Sequence, residues 1–124
     1  MINLINIIKL GYLSRSSFVK IQYSKKNFVF IKFLFNQGFI KHYTIKNQYI
    51  LIFLRYIYNK PLIQNIKFIS KKGYRRYVTY KNLKSLDLIH GTNTLILSTS
   101  KGYLIHSDAL KYKIGGELLY KIVY

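Results

Sequence analysis

The sequence predicts an α+β fold, in which a small N-terminal α/β lobe (helix-strand-helix-strand-strand) precedes a C-terminal, mostly β lobe with short helices. Three observations lead to this prediction. In the first half of the chain, apolar residues recur at the spacing of a helix and then at the spacing of a strand. Short runs rich in β-branched and aromatic residues dominate the second half. The only proline, Pro61, separates the halves, so we expect lobes at residues 1–61 and 62–124.

The N-terminal lobe is expected to contain two helices separated by a strand. Residues 2–13 predict a helix, because four apolar side chains share one face at helical spacing: Leu4, Ile5, Ile8 and Tyr12. Residues 18–23 alternate and predict a half-buried strand. Ser24 is a suitable N-cap, since its hydroxyl can accept a backbone N–H of the following turn. The helix that follows should cover residues 25–36 and stop at Gly38.

The rest of the chain predicts mostly strands. Residues 39–46 and 49–58 are rich in β-branched and aromatic side chains and predict a hairpin that turns at residues 46–48. In the C-terminal lobe, we expect strands over residues 62–69, 94–98, 103–105 and 117–124. Between them we expect a helical turn at residues 82–86, a loop at residues 88–93, and a short helix capped by Ser107 and ended by Gly115-Gly116.

The charge of the chain restricts its partners. Lys and Arg number 21 against three acids, Asp87, Asp108 and Glu117, which leaves a net charge of +18 on 124 residues. A compact domain with such an excess repels itself and is tolerated mainly beside a polyanion, which means nucleic acid or an anionic membrane surface. Hydrophobic residues make up 50% of the chain, including 13 Tyr, so it can bury a core and is not a disordered basic tail.

The chain lacks the residues that several other classes of protein require. Cysteine is absent, which excludes disulfides and thiolate metal sites. The longest stretch without Lys, Arg, Asp or Glu is Leu88–Ser100, 13 residues, whereas a membrane-spanning helix needs roughly 20. The three acids lie in different predicted elements, and His42, His90 and His106 lack the spacing of a metal motif. We therefore expect no enzymatic activity, no cofactor, no metal and no small-molecule substrate.

Residues 70–77, Ser-Lys-Lys-Gly-Tyr-Arg-Arg-Tyr, are the densest basic cluster in the chain. Taken alone, a short basic run can equally be a solvated surface loop. Here Tyr74 and Tyr77 lie beside arginines and offer stacking and cation–π surfaces together with charge, a combination suited to nucleic acid. The residues that we expect to bind RNA are Lys71, Lys72, Arg75, Arg76 and Tyr77.

A second candidate site is Ser98-Thr99-Ser100-Lys101-Gly102, which places three hydroxyls, one cation and one glycine in a row. A polar β-turn is the simpler interpretation, since residues of these types favour turns. The alternative is a tight loop whose hydroxyl and N–H groups approach a sugar-phosphate backbone or base edges, with Lys101 on a phosphate. Both interpretations remain open on these residues alone.

The order of motifs resembles the family of small-subunit ribosomal protein eight, in its bacterial and organellar form. The resemblance spans about residue 17 to the C-terminus. Its specific signature is the Ser-Thr-Ser-Lys-Gly run at residues 98–102, followed at the family's spacing by Gly115-Gly116-Glu117. The other matching pieces are Tyr23-Ser24-Lys25, Gly38-Phe39-Ile40, Asn59-Lys60-Pro61, Ile66-Lys67, Ile69-Ser70-Lys71, Gly73, Arg75, Tyr77 and Ala109.

This resemblance implies two lobes packed together that bind a helical junction in the central domain of small-subunit ribosomal RNA and support subunit assembly and translation. In the family the hydroxyl loop meets a bulged region of that RNA. By this likeness the RNA-binding residues include Ser98, Thr99, Ser100, Lys101 and Gly102, with Arg75 and Tyr77 nearby. Neighbouring small-subunit ribosomal proteins are further expected partners, because the phenylalanine-rich second helix has more apolar surface than one small core needs.

Composition also predicts a compartment. Ile, Lys, Tyr, Asn and Phe, which all have A/T-rich codons, make up 66 of the 124 residues. The N-terminus, Met-Ile-Asn-Leu-Ile-Asn-Ile-Ile-Lys, resembles neither an imported leader nor a signal peptide. We therefore expect an organelle-encoded component of a mitochondrial small ribosomal subunit, with a plastid as the alternative. The alternatives in function are a non-ribosomal RNA-binding module and a basic membrane-surface protein.

Overall fold

The computed structural model of the chain describes residues 2–71, 73–90 and 93–123, with side chains described outside residues 2–3 and 86–90. The chain divides into two compact units, Met1–Gln64 and Asn65–Tyr124. This division lies close to the boundary expected after Pro61. Both units combine helices with antiparallel strands, so the predicted α+β fold class is confirmed.

The first unit has two helices beside an antiparallel sheet. In the described part of the chain, its helices are α1 (Ile2–Leu13) and α2 (Lys25–Asn36), and its strands are β1 (Phe18–Gln22), β2 (Ile40–Lys46), β3 (Tyr49–Leu54), β4 (Tyr56–Ile57) and β5 (Lys60–Pro61). The first three strands form a sheet in the order β1-β3-β2, and β4 pairs with β5 alone. Both helices pack against this sheet.

Local sequence signals placed both helices correctly. The four side chains predicted to share one face of α1 are all buried. The hydroxyl of Ser24 accepts the backbone N–H of Asn27 at 3.1 Å, which confirms the predicted cap of α2. The strand predicted over residues 49–58 is divided, since β3 ends at Leu54 and residues 56–57 form β4. Tyr58 and Asn59, with positive φ angles of 52° and 64°, fold β5 back onto β4.

Strand β3 is apolar on both faces, although only one face is buried. Its inner residues Ile50, Ile52 and Leu54 belong to the core. Its outer residues lie beside aromatic neighbours, since the Phe53 ring is 6.0 Å from that of Phe18 and 5.9 Å from that of His42. We call this surface the outer sheet face. Its apolar and aromatic members are Phe18, His42, Tyr49, Leu51 and Phe53, and the register also places Lys20, Gln22, Thr44 and Lys46 on it.

The second unit is built on one larger antiparallel sheet. In the described part of the chain, its helices are α3 (Tyr80–His90) and α4 (His106–Tyr112), and its strands are β6 (Asn65–Phe68), β7 (Tyr77–Val78), β8 (Thr94–Thr99), β9 (Gly102–Ile105) and β10 (Gly116–Val123). The sheet order is β6-β10-β8-β9, and β7 also pairs with β10. One face packs against the helices through Leu83, Leu95, Leu97, Ala109 and Leu118, and we call it the helix-packed face.

Three predictions for this unit need correction. The loop predicted at residues 88–93 is wrong over its first three positions, because α3 continues to His90 and no helix breaker precedes Gly91 in the sequence. Positions 91 and 92 of that loop lie outside the described residues. The predicted cap at Ser107 is also wrong, since β9 leads straight into α4 and Ile105 occupies the N-cap without a side-chain hydrogen bond. The strand predicted over residues 62–69 is shorter, because pairing with β10 covers only residues 65–68.

Candidate nucleic-acid interface

The basic cluster forms a loop, residues 69–76, that leaves and rejoins the edge of β10. The backbone N–H of Ile69 donates to the Leu119 carbonyl at 3.0 Å, and the N–H of Leu118 donates to the Arg76 carbonyl at 2.9 Å. Both bonds lie at the β-bulge between Leu118 and Tyr120. The two ends of the basic loop are therefore fixed to the sheet.

Hydrogen bonds inside the basic loop fix its shape as well. Lys71 and Tyr74 exchange backbone hydrogen bonds of 2.9 Å in both directions. The hydroxyl of Ser70 accepts the backbone N–H of Arg76 at 3.0 Å. The cationic side chains of Lys71 and Arg76 thus extend from a backbone that these hydrogen bonds hold in place. Lys72 lies outside the described residues, so its role in RNA binding stays a prediction.

The hydroxyl turn, residues 98–102, connects β8 to β9. Thr99 pairs with Gly102, so only Ser100 and Lys101 stand between the strands. The Thr99 hydroxyl donates to the Gly102 carbonyl at 2.9 Å and accepts the N–H of Lys101 at 3.1 Å. Gly102 has a φ of +95°, which L side chains rarely adopt. The hydroxyl of Thr99 therefore holds the turn together.

The other two hydroxyls of the turn differ from that of Thr99. Ser100 is exposed and Ser98 is half-buried, and within the described part of the chain neither hydroxyl has a hydrogen-bond partner. The ammonium of Lys101 lies 4.4 Å from the centre of the Tyr112 ring, a cation–π contact. The turn thus presents two unengaged hydroxyls beside a positioned cation.

One row of residues joins the basic loop to the hydroxyl turn. Tyr77, Glu117, Ser98 and Tyr103 are successive cross-strand partners on β7, β10, β8 and β9, and we call them the cross-strand row. Directly paired residues project to the same face of an antiparallel sheet. Their neighbours on β8 and β10 belong to the core, so the row lies on the face opposite the helix-packed face.

Glu117 stands at the centre of this row and pairs with a cation of the basic loop. The Arg75 guanidinium donates to a Glu117 carboxylate oxygen at 3.2 Å. The side chain of Arg75 is 62% exposed and that of Glu117 only 14%. Such an exposed pair adds little stability. Its effect is to hold Arg75 beside the row and to leave one carboxylate inside a cationic surface.

Two glycines make this arrangement possible. A Cβ at Gly115 would meet the carbonyl oxygen of Val78, and one at Gly116 would meet the carbonyl oxygen of Ser98 and lie 3.0 Å from Cγ2 of Thr99. No side chain fits between backbones that approach this closely. Gly115-Gly116 therefore allows β10 to lie between β7 and β8, which positions Glu117 between Tyr77 and Ser98.

Burial favours the neutral form of two tyrosines, Tyr103 in the row and Tyr120 beside it. Burial raises the pKa of Tyr103, and burial together with the nearby Tyr103 and Glu117 raises the pKa of Tyr120 to about 12. A tyrosine pKa raised above its unfolded value of about 10 stabilises the fold fully below that pH. This stabilisation is lost as pH rises from about 10 to 12, when the folded phenol also ionises.

We therefore expect the free energy of unfolding to decrease across this alkaline range. In Tyr120→Phe this decrease should be smaller by roughly 2 to 3 kcal/mol, because the phenol is absent. The measurement is the free energy of unfolding in urea at several pH values from 8 to about 12, for both proteins. The titration of lysines is common to both and cancels in the comparison. An identical pH dependence in the two proteins would contradict the assignment.

The structure unites only part of the predicted site. Arg75, Tyr77 and Ser98 meet around Glu117, whereas Thr99 serves the turn itself. Glu117, Tyr103 and Tyr112 had no predicted role in RNA binding. Tyr103 could have been found, because a two-residue turn between alternating strands places it opposite Ser98.

Two features typical of other protein classes are absent from the described residues. Among residues 2–71, 73–90 and 93–123, no group of three or more His, Cys, Asp or Glu side chains could hold a metal ion. No helix within those ranges combines the length and the apolar character needed to cross a membrane.

Comparison with known proteins gives a consistent result. A family model described as ribosomal protein S8 matches residues 1–124. Small ribosomal subunit protein uS8m of Acanthamoeba castellanii is 42% identical over 121 residues, covering 97% of this chain and 95% of that protein. Protein uS8 of Dictyoglomus turgidum is 35% identical over 116 residues, with coverages of 90% and 87%. Protein uS8c of Bigelowiella natans is 33% identical over 128 residues, with coverages of 96% and 94%. The chain therefore belongs to the ribosomal protein S8 family of the small ribosomal subunit.

Proposed function

We propose that this chain is a structural component of the small subunit of a mitochondrial ribosome and that its second unit binds small-subunit ribosomal RNA. The cross-strand row supports this proposal most directly, because it connects a braced cationic loop to a turn with unengaged hydroxyls. The mitochondrial relative from Acanthamoeba castellanii supports the compartment, and the plastid relative from Bigelowiella natans represents the alternative.

In this proposal, cations and hydroxyls make different contributions. Lys71, Arg75, Arg76 and Lys101 neutralise phosphates and release counterions, which supplies affinity without sequence preference. Ser98 and Ser100 are neutral, so they contribute by hydrogen bonding to base edges or to 2′-hydroxyls. Side chains cannot read the deep groove of a regular A-form helix, and a bulge exposes its bases. A bulged helix therefore fits this surface better than a regular duplex.

Glu117 restricts how RNA can lie on the row. A phosphate placed over its carboxylate would be repelled, so the RNA backbone should pass on either side, over the basic loop and the hydroxyl turn. A carboxylate accepts hydrogen bonds from the amino groups of bases. Tyr77, 69% exposed beside it, offers a ring for stacking. The centre of the row is thus suited to a base and its margins to phosphates.

The test has two parts. In sucrose gradients of an organelle lysate, this chain should sediment with small ribosomal subunits, and a chain found only in other fractions would contradict the proposal. In filter binding, the purified protein should prefer a bulged fragment of its small-subunit RNA over the same fragment with the bulge deleted. Stronger binding to anionic lipid vesicles than to either RNA would instead favour the membrane-surface alternative.

The Arg75–Glu117 pair allows a sharper prediction. Arg75→Ala should weaken binding to the bulged RNA roughly tenfold or more, because it removes a cation and leaves the Glu117 carboxylate unpaired. Adding Glu117→Gln should restore part of the lost affinity, since the repulsive charge is then removed. Filter binding of wild type, both single variants and the double variant measures the coupling. Strictly additive effects would show that the pair does not act in binding.

A further inference from the structure

Two lysines stand directly opposite each other on the helix-packed face of the second unit. Lys67 of β6 pairs with Lys121 of β10, and Lys121 in turn pairs with Leu95 of β8. Leu95 is a core residue of the helix-packed face, so both lysines project from that side of the sheet. Like charges directly opposite each other destabilise an antiparallel pair. In the free protein, strand pairing therefore holds Lys67 and Lys121 opposite each other, and the repulsion between them destabilises the sheet.

The same two lysines line a concavity together with cations of the basic loop. Its volume is about 450 Å³, and Lys71 and Arg76 contribute to its wall. None of its lining residues is acidic. The exposed rings of Tyr74 and Tyr77, 66% and 69% accessible, also border it. Four cations and two exposed rings thus surround one space.

The acids with described side chains do not neutralise this concavity. Glu117 lies on the opposite face of the sheet and pairs with Arg75, and Asp108 belongs to α4 and does not line the concavity. Consecutive arginines of the basic loop therefore differ in surroundings, because Arg75 joins the cross-strand row while Arg76 lines the concavity. Among the acids with described side chains, none supplies a negative charge to the concavity.

We propose that this concavity, lined by Lys67, Lys71, Arg76 and Lys121, binds phosphate groups of an RNA backbone. It adjoins the cross-strand row at Tyr77, which belongs to both, and extends the contact of the basic loop to the helix-packed face. The inference rests on the proposed function and adds a second contact to it. Clustered lysines and an arginine supply charge for phosphate, and the Tyr74 ring offers a face for the adjoining sugar or base. Bound phosphate relieves the repulsion between Lys67 and Lys121, so binding also stabilises the sheet.

A charge reversal separates this site from a merely structural role. Lys67→Glu places opposite charges across β6 and β10, so the free protein should melt at a higher temperature than wild type. The same change should weaken RNA binding roughly tenfold and flatten the slope of log K against log salt by about one to two units. A substitution that stabilises the free protein and still weakens RNA binding cannot act by disrupting the fold.

The control is Lys32→Glu on α2, an exposed position with the same change in net charge. It should lower RNA affinity less and leave the melting temperature nearly unchanged. If Lys67→Glu raises the melting temperature but binds RNA no worse than Lys32→Glu, the proposal is wrong. Inorganic phosphate at constant ionic strength should stabilise wild type more than Lys67→Glu. Stabilisation by phosphate without any loss of RNA affinity would assign the site to free phosphate and overturn the proposal.

The design also distinguishes this site from bulge recognition. Lys67→Glu should weaken binding to the bulged and the bulge-deleted RNA equally, because phosphates occur in both. Preference for the bulged RNA should remain as in wild type. Failure of the wild type to prefer the bulge would contradict the proposed function, whereas it would leave the effect of Lys67→Glu on both RNAs measurable. A selective loss of bulge preference in Lys67→Glu would count against a phosphate-binding role for the concavity.

Discussion

Replacing Gly116 with alanine is expected to destabilise the second unit by about 3 kcal/mol or more. The new methyl group would meet the Ser98 carbonyl oxygen and lie 3.0 Å from Cγ2 of Thr99. Because the obstacle is the backbone of a paired strand, relief requires β8 and β10 to separate. Urea unfolding followed by circular dichroism measures the loss, and RNA binding should fall with it, since the cross-strand row depends on this pairing.

Gly73→Ala is the matched control for that experiment. Gly73 has a φ of +87°, but nothing lies within 4 Å of a Cβ at this position. The change should therefore cost only the backbone strain of an L-residue in the left-handed region, about 1 kcal/mol. Equal losses in the two variants would show that close approach is not the reason for the glycine at position 116.

Replacing Ser98 and Ser100 together with alanine is expected to reduce discrimination between the bulged and the bulge-deleted RNA by roughly 1 to 3 kcal/mol. Neutral hydroxyls release no counterions, so the slope of log K against log salt should stay unchanged. The measurement is filter binding of both RNAs at several salt concentrations, with circular dichroism to confirm folding. A folded double variant with full discrimination would remove the serines from the site.

Thr99 provides the control within the same turn. Thr99→Val keeps the shape of the side chain but removes both turn hydrogen bonds. It should therefore lower the free energy of unfolding by about 1 kcal/mol and weaken binding to both RNAs equally. Thr99→Ser keeps the hydroxyl and should restore most of that loss. This pattern separates a hydroxyl that shapes the turn from hydroxyls that contact the ligand.

Features determined by local sequence were predictable. The buried stripe of α1 follows from helical spacing, and the start of α2 follows from the hydroxyl of Ser24. The hydroxyl turn was placed correctly because Gly102 and its neighbours favour a turn wherever they occur. These signals act over a few residues, so they need no knowledge of distant partners.

Features determined by strand register were not predictable. The place of Glu117 between Tyr77 and Ser98 depends on how β10 pairs with two strands distant in sequence. The bulge between Leu118 and Tyr120 shifts that register, and a shift of one residue reverses which face a side chain occupies. The opposition of Lys67 and Lys121 depends on the pairing of the same strand, β10, so the concavity was not predictable from the sequence.

The outer sheet face affects how the isolated protein behaves in solution. The unit that contains it has ten Lys and Arg residues and no acid, so free copies repel one another although each exposes aromatic surface. Salt shortens the reach of this repulsion to about 3 Å at 1 M. The ionic strength that releases the protein from RNA therefore also screens the charge repulsion that keeps free copies apart. Dissociation of the complex and self-association of the freed chain become linked events, and light scattering distinguishes one from the other.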